Sequence, residues 1–192
     1  MKYFALLGLL ILPIFLFSNV HAEEYDIKEL DSLALLVNGW DNELTQLDNG
    51  VSVLAFNDYL TGAYFRTYQV EANGTIIELD SLFDDETNFR YNSLAIVDSD
   101  TVILSYMVPT SSDGFLKTFD ISSTGQITPQ DTFNFDDDIS GQNSIIQLDS
   151  GIFALIYDGG GSSIIKTFDV SNNGTTSLLE TLTNETNNGV SY

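Results

Sequence analysis

The sequence predicts an all-β fold built from repeated units of four short antiparallel strands. Three observations predict it. The stretch Gly114-Phe-Leu-Lys-Thr-Phe-Asp-Ile121 recurs as Tyr64-Phe-Arg-Thr-Tyr-Gln-Val70 and as Ile164-Ile-Lys-Thr-Phe-Asp-Val170, and a glycine follows each copy, at Gly125, Gly74 and Gly174. The shared threonines, Thr67, Thr118 and Thr167, set a period of 51 and then 49 residues, which marks a repeat architecture. After Ala22 the apolar residues fall in short runs rich in Val, Ile, Leu, Phe and Tyr, separated by Gly, Asn and Asp, with no helical periodicity.

Each unit reads in order. Its first strand is Glu43–Leu47, Ser93–Val97 or Ser144–Leu148. A tight turn follows at Asp48-Asn-Gly50, Asp98-Ser-Asp100 or Asp149-Ser-Gly151, residue types that tolerate hairpin dihedrals. The second strand, Val51–Phe56, Thr101–Tyr106 or Ile152–Tyr157, ends on an aromatic residue. After a polar loop carrying Asp58, Asp113 or Asp158, the recurring motif forms the third strand. The turns Ala72-Asn-Gly74, Ser123-Thr-Gly125 and Asn172-Asn-Gly174 lead into the fourth strand, Thr75–Leu82, Gln126–Phe133 or Thr175–Leu182. Ahead of the first unit, Tyr25–Leu33 matches the end of a fourth strand, because Leu30-Asp-Ser-Leu33 repeats as Leu79-Asp-Ser-Leu82.

Four antiparallel strands per unit of about fifty residues is the geometry of a β-propeller blade. The repeats run over 43–82, 93–133 and 144–182. First and second strands apolar on both faces fit sheets buried between neighbours. A β-sandwich is the alternative, but a sandwich has no reason to repeat its sequence at this period. The pattern Gly-x-x-(Arg/Lys)-Thr-(Phe/Tyr)-x-(Ile/Val)-x-x-x-Gly resembles the blades of secreted prokaryotic β-propeller repeat proteins, broadly similar to kelch-like, quinoprotein-like and lactonase-like propellers. The resemblance implies a radial array with a ligand-binding face, and it transfers no catalytic residue. Trp40-Asp41 occurs once, at no repeated position.

Residues 1–22 read as a signal peptide: Lys2, an apolar run from Phe4 to Phe17 interrupted by Pro13, and Val20-His-Ala22 as the cleavage pattern. That run is shorter than a membrane span, so residues 23–192 are expected to be a secreted or cell-surface propeller region. The chain carries a formal net charge of −22, and all 28 acids follow Ala22 against five basic residues. Such a surface repels phosphate backbones and anionic lipid, which argues against nucleic acid as a partner. There is no cysteine, and the only histidine, His21, lies in the leader. Serine triads, cysteine nucleophiles and His/Cys zinc sites are thereby excluded from the mature chain.

The candidate sites lie on the face formed by the polar loops and by the acidic linkers between units. Asp84-Asp85-Glu86 and Asp136-Asp137-Asp138 are oxygen-only clusters suited to calcium, although no Asp-x-Asp-x-Asp-Gly loop is present and solvated acidic loops are the simpler reading. Arg66, Lys117 and Lys166 share one repeat position, where a cation needs a carboxylate from a neighbouring strand or blade. Asn73, Asn173 and Asn184 head glycosylation sequons, two of them in turns that favour Asn-Gly regardless.

Three complete units fall short of the four to eight blades that close a propeller. Either the sequence is part of a longer propeller or two chains pair to complete a ring. The functional expectation is a non-catalytic extracellular module that presents its acidic face to glycan, protein or cations. The alternative is a carbohydrate-active propeller enzyme using paired carboxylates.

Overall fold

The computed structural model describes residues 29–33, 39–58, 62–84 and 89–184. The described residues form three four-stranded antiparallel sheets, each a simple meander. Sheet 1 contains β1 (Gly39–Gln46), β2 (Val51–Asp58), β3 (Gly62–Val70) and β4 (Ile76–Asp84). Sheet 2 contains β5 (Arg90–Ile96), β6 (Thr101–Val108), β7 (Asp113–Ile121) and β8 (Ile127–Asp136). Sheet 3 contains β9 (Ile139–Asp149), β10 (Ile152–Gly159), β11 (Ser162–Val170) and β12 (Thr176–Asn184). Every predicted strand of the three repeats is present. The strands are longer than the apolar runs that announced them, because ladder pairing carries on into the polar flanks. Asp58, Asp113 and Asp158, expected in loops, are therefore strand residues. A strand was also expected over Tyr25–Leu33; residues 29–33 are in none, and the rest of that stretch lies outside the described residues, as does the leader. Among the described residues no helix is long and apolar enough to cross a membrane.

The sheets stack face to face, and the packing explains which residues repeat. Alternate residues of the central strands point to opposite faces. Val53 and Phe65 of sheet 1 meet Val102, Leu104 and Phe119 of sheet 2 in one core. Ile103 and Leu116, on the other face of sheet 2, meet Phe153, Leu155 and Phe168 of sheet 3 in a second. Sheet 2 is covered on both sides, so β6 is buried from Thr101 to Met107. The sequence Thr-Val-Ile-Leu-Ser-Tyr-Met-Val accordingly lacks the alternation of a half-exposed strand.

Two kinds of polar contact couple the sheets, and each recurs with the period. Thr67 donates its hydroxyl to the Gly125 carbonyl of the next sheet at 2.6 Å, and Thr118 donates to Gly174 at 2.8 Å. Asp80 Oδ2 accepts the Ile127 N–H at 2.9 Å, and Asp131 Oδ2 accepts the Thr176 N–H at 2.8 Å. The expected but unformed strand keeps this role: Asp31 Oδ2 accepts the Ile76 N–H at 3.0 Å, so residues 29–33 sit where the fourth strand of a preceding sheet would lie. The glycines are needed at the same joint. Gly125 has φ +84°, and a Cβ there would stand 2.5 Å from Leu79 of the sheet before.

Thr118→Val removes one donor while keeping the shape. It is expected to lower stability by about 1 kcal/mol, the usual net worth of such a bond, read as a lower urea midpoint with an unchanged slope.

Candidate functional site

The first strands of the three sheets run side by side, β1 against β5 and β5 against β9. Where they begin, on the side of the linkers, Asp41, Glu43, Tyr91, Asn92, Gln142 and Asn143 line a depression of about 220 Å³. The backbone there is irregular in each sheet: the ladders shift register between Trp40 and Glu43, between Arg90 and Ser93, and opposite Tyr157–Gly159. Asp41 and Tyr91, at equivalent places, adopt φ +51° and +54°. A positive φ at a non-glycine residue costs free energy and clusters at functional sites. Asp41 Oδ2 steadies the next bulge by accepting the Tyr91 N–H at 3.1 Å.

The amides behind these bulges are not fully used. Asn92 is 6% exposed and donates Nδ2 to the Ala55 carbonyl at 3.4 Å, while its Oδ1 is buried without a hydrogen-bond partner. Asn143 accepts the Ser105 hydroxyl on Oδ1 at 2.6 Å, and its Nδ2 is buried without a partner. The residues that carry this unpartnered acceptor and donor line the same depression. Burial raises the Glu43 carboxyl above its ordinary value. No lysine or arginine lines the depression. None of these six residues was among the sequence candidates. The signal lay in Asn42, Asn92 and Asn143, which precede the predicted first strand at intervals of 50 and 51 residues.

The acidic linkers behave differently. Asp136 Oδ2 accepts hydrogen bonds from the Tyr157 hydroxyl and, at 3.0 Å, from Lys166 Nζ of sheet 3, and its Oδ1 accepts the Asp138 N–H at 3.2 Å. Lys166 also donates to the Phe135 carbonyl. Burial alone would raise the Asp136 carboxyl, but the hydrogen bonds from Tyr157 and Lys166 outweigh it and hold the carboxyl below its usual value. Burial, and then the bond to and charge of Asp136, push the Tyr157 phenol up. Asp136 is thus a clasp between sheets 2 and 3 with both oxygens engaged. Asp137 is exposed and accepts from Asn134 at 2.8 Å, and Asp138 is exposed. Asp84 ends β4, and Asp85 and Glu86 lie outside the described residues. Among the described residues no three acids gather around one point as a metal site requires.

The expected pairing of the repeated cation with a carboxylate is present at Lys166 and at Arg66. Lys166 takes its carboxylate from the preceding sheet, whereas Arg66 bonds Glu78 on the adjacent strand at 3.1 Å. Lys117 Nζ lies 5.8 Å from the centre of the Phe119 ring. Asn73 and Asn173 are exposed, and each accepts a backbone N–H through Oδ1, from Thr75 and Thr175, as turn-forming asparagines do. Asn184 is the last residue of β12.

No family model matches this chain, and no curated protein matches it. Among solved structures, it is similar to the crystal structure of a protein from Lactobacillus plantarum, with a TM-score of 0.54 at 17% identity over 72% of this chain. The fold is all-β, three sheets set side by side as propeller blades. The matched part spans 40% of the Lactobacillus chain, and at this identity the likeness is one of fold alone. The depression therefore lies where the innermost strands of three adjacent blades converge, on the face of the linkers.

Proposed function

We propose that this chain is a non-catalytic, exported binding module of the kind built from kelch-like, quinoprotein-like or lactonase-like blades, and that it takes a neutral glycan in the depression between its inner strands. One observation carries the reading: Asn92 and Asn143 line the same depression, and each holds a buried polar atom, the Asn92 acceptor and the Asn143 donor, without a hydrogen-bond partner. An unmade hydrogen bond at a buried polar atom costs about 1–3 kcal/mol, so a ligand that supplies both partners recovers it. A sugar hydroxyl is donor and acceptor at once. Tyr91 offers it an apolar ring, and Asp41 and Gln142 offer further polar groups. With no cation in the lining and a net charge of −22, an anionic ligand is disfavoured. Export rests on the leader reading of residues 1–22.

Titration with a panel of neutral oligosaccharides is expected to give heat with at least one of them. Asn143→Ala should weaken that binding about tenfold, the effect of one lost hydrogen bond, with an unchanged circular dichroism spectrum. A panel without binders, or full affinity in the variant, would sink the reading. A second reading has one observation behind it: Asp41 and Glu43 share the depression and burial raises one of them, as an acid of a glycoside-cleaving pair requires. Release of reducing sugar that Glu43→Gln abolishes would establish it.

A further inference from the structure

The two joints inside the chain define what a blade presents to the next, and both end sheets present the same groups outward. On sheet 3 the face turned from sheet 2 exposes Leu148, Ile165 and Leu182 at 57%, 38% and 64%. Their equivalents are interior: Leu47 and Phe65 are buried in the first joint with Leu82 packed against them, and Val97 and Leu116 in the second with Phe133. Thr167 and Glu180 hold the positions from which Thr118 and Asp131 reach the next sheet.

Sheet 1 shows the complementary half. Leu44 and Val70 are exposed, whereas their equivalents Ile145, Ile121 and Val170 are buried against a preceding sheet. A groove of about 210 Å³, lined by Leu44, Leu54, Tyr68 and Val70, runs along this face. Beneath it the Tyr68 hydroxyl and Arg66 Nε are buried with no hydrogen-bond partner. Arg66 stands at the position from which Lys166 reaches back to Asp136.

We propose that a second copy of this chain docks head to tail, laying the outer face of its sheet 3 on the outer face of sheet 1. Continuity with the joints already present in the chain fixes the occupant. Exposed apolar faces mark interfaces, and the groups these two carry are those that a blade of this sequence uses to meet its neighbour. Residues 29–33 show the seat in use: Leu30 lies against Gly74, and Asp31 takes the Ile76 N–H, the places that Leu179 and Glu180 of an incoming β12 would fill. That short segment gives way to the longer strand. Two such joints related by a twofold axis close a ring of six sheets, within the range of known propellers. The charge of −22 on each copy opposes docking, so added salt favours it.

Light scattering on a size-exclusion column tests this with the chain itself. The expected result is a discrete dimer whose population rises with protein and with salt. Ile165→Glu on sheet 3, and independently Leu182→Lys, should each give a folded monomer; both sites are on the surface of the single chain, so folding does not depend on them. Asp31→Ala loosens residues 29–33 and should tighten the dimer severalfold. A monomer at every concentration, a species heavier than a dimer, a dimer indifferent to both face variants, or a dimer weakened by Asp31→Ala would each overturn the proposal. The glycan titration reads a different surface, so the two results stand apart.

Discussion

Gly125→Ala is expected to destabilise the protein by about 3 kcal/mol, the sum of a left-handed backbone penalty and an overpacked joint. The residue turns the chain from β7 into β8 with φ +84°, where a Cβ is strained whatever the space around it. There is no space either: the added carbon would stand 2.5 Å from Leu79 Cδ1 and 2.6 Å from its Cβ. A Cβ cannot rotate away, so sheet 1 or the turn must shift, and the bond from Thr67 to the Gly125 carbonyl stretches with it. Gly50 provides the control. Its φ is +85°, but nothing lies within 4 Å of a Cβ placed there, so Gly50→Ala should cost only the backbone part, about 1 kcal/mol. Chemical denaturation of the two variants separates the terms, and equal losses would show that the joint is not packed as described.

The second large effect belongs to Asp136. Asp136→Ala is expected to cost about 2 kcal/mol; breaking a buried pair typically costs more, but the Asp136 and Lys166 side chains keep 24% and 11% of their exposure, so water softens the loss. The substitution leaves the Tyr157 hydroxyl without its acceptor and Lys166 with only the Phe135 carbonyl. Its pH dependence has a definite sign. The folded carboxyl titrates below its unfolded value, so its contribution is complete above the ordinary carboxylate range and disappears as pH falls through the depressed folded value. The gap between wild type and Asp136→Asn should therefore be wide near neutrality and close in acid, once the pH falls below the ordinary carboxylate range. A gap that survives there would exclude the clasp as its origin. A melting temperature that rises with calcium in the wild type and not in the variant would instead assign Asp136 to a metal.

These two residues show what could be read in advance. Gly125 was visible because the repeat exposed it: a glycine at a fixed distance from a recurring threonine leaves few explanations, and the structure supplies one in the bond between them from sheet to sheet. The strands and turns were legible for the same reason, since one ambiguous run of apolar residues becomes a strand when it occurs three times in register. Asp136 was noticed for its neighbours in sequence, and its partners in space were not visible there. In sequence it is one of three consecutive acids. Its partners, Tyr157 and Lys166, lie 21 and 30 residues away, and only the stacking of sheets 2 and 3 brings them together. The depression was the least legible part. It is lined by residues at the irregular starts of strands, and Asp41, Tyr91 and Gln142 occupy equivalent places without sharing a residue type. Its two asparagines, Asn92 and Asn143, do repeat, but the residues beside them differ from one repeat to the next.

The two couplings between sheets that recur with the period run one way along the chain. A threonine gives its hydroxyl forward, and an aspartate receives from the sheet ahead. Each such contact joins positions one repeat apart, never two. Duplicating or deleting a stretch of one period would restore these two contacts between the sheets it brings together. The gene for such a protein can thus grow or shrink by whole blades through unequal recombination without inventing a contact, while a change of a few residues within a period would break every joint it touches.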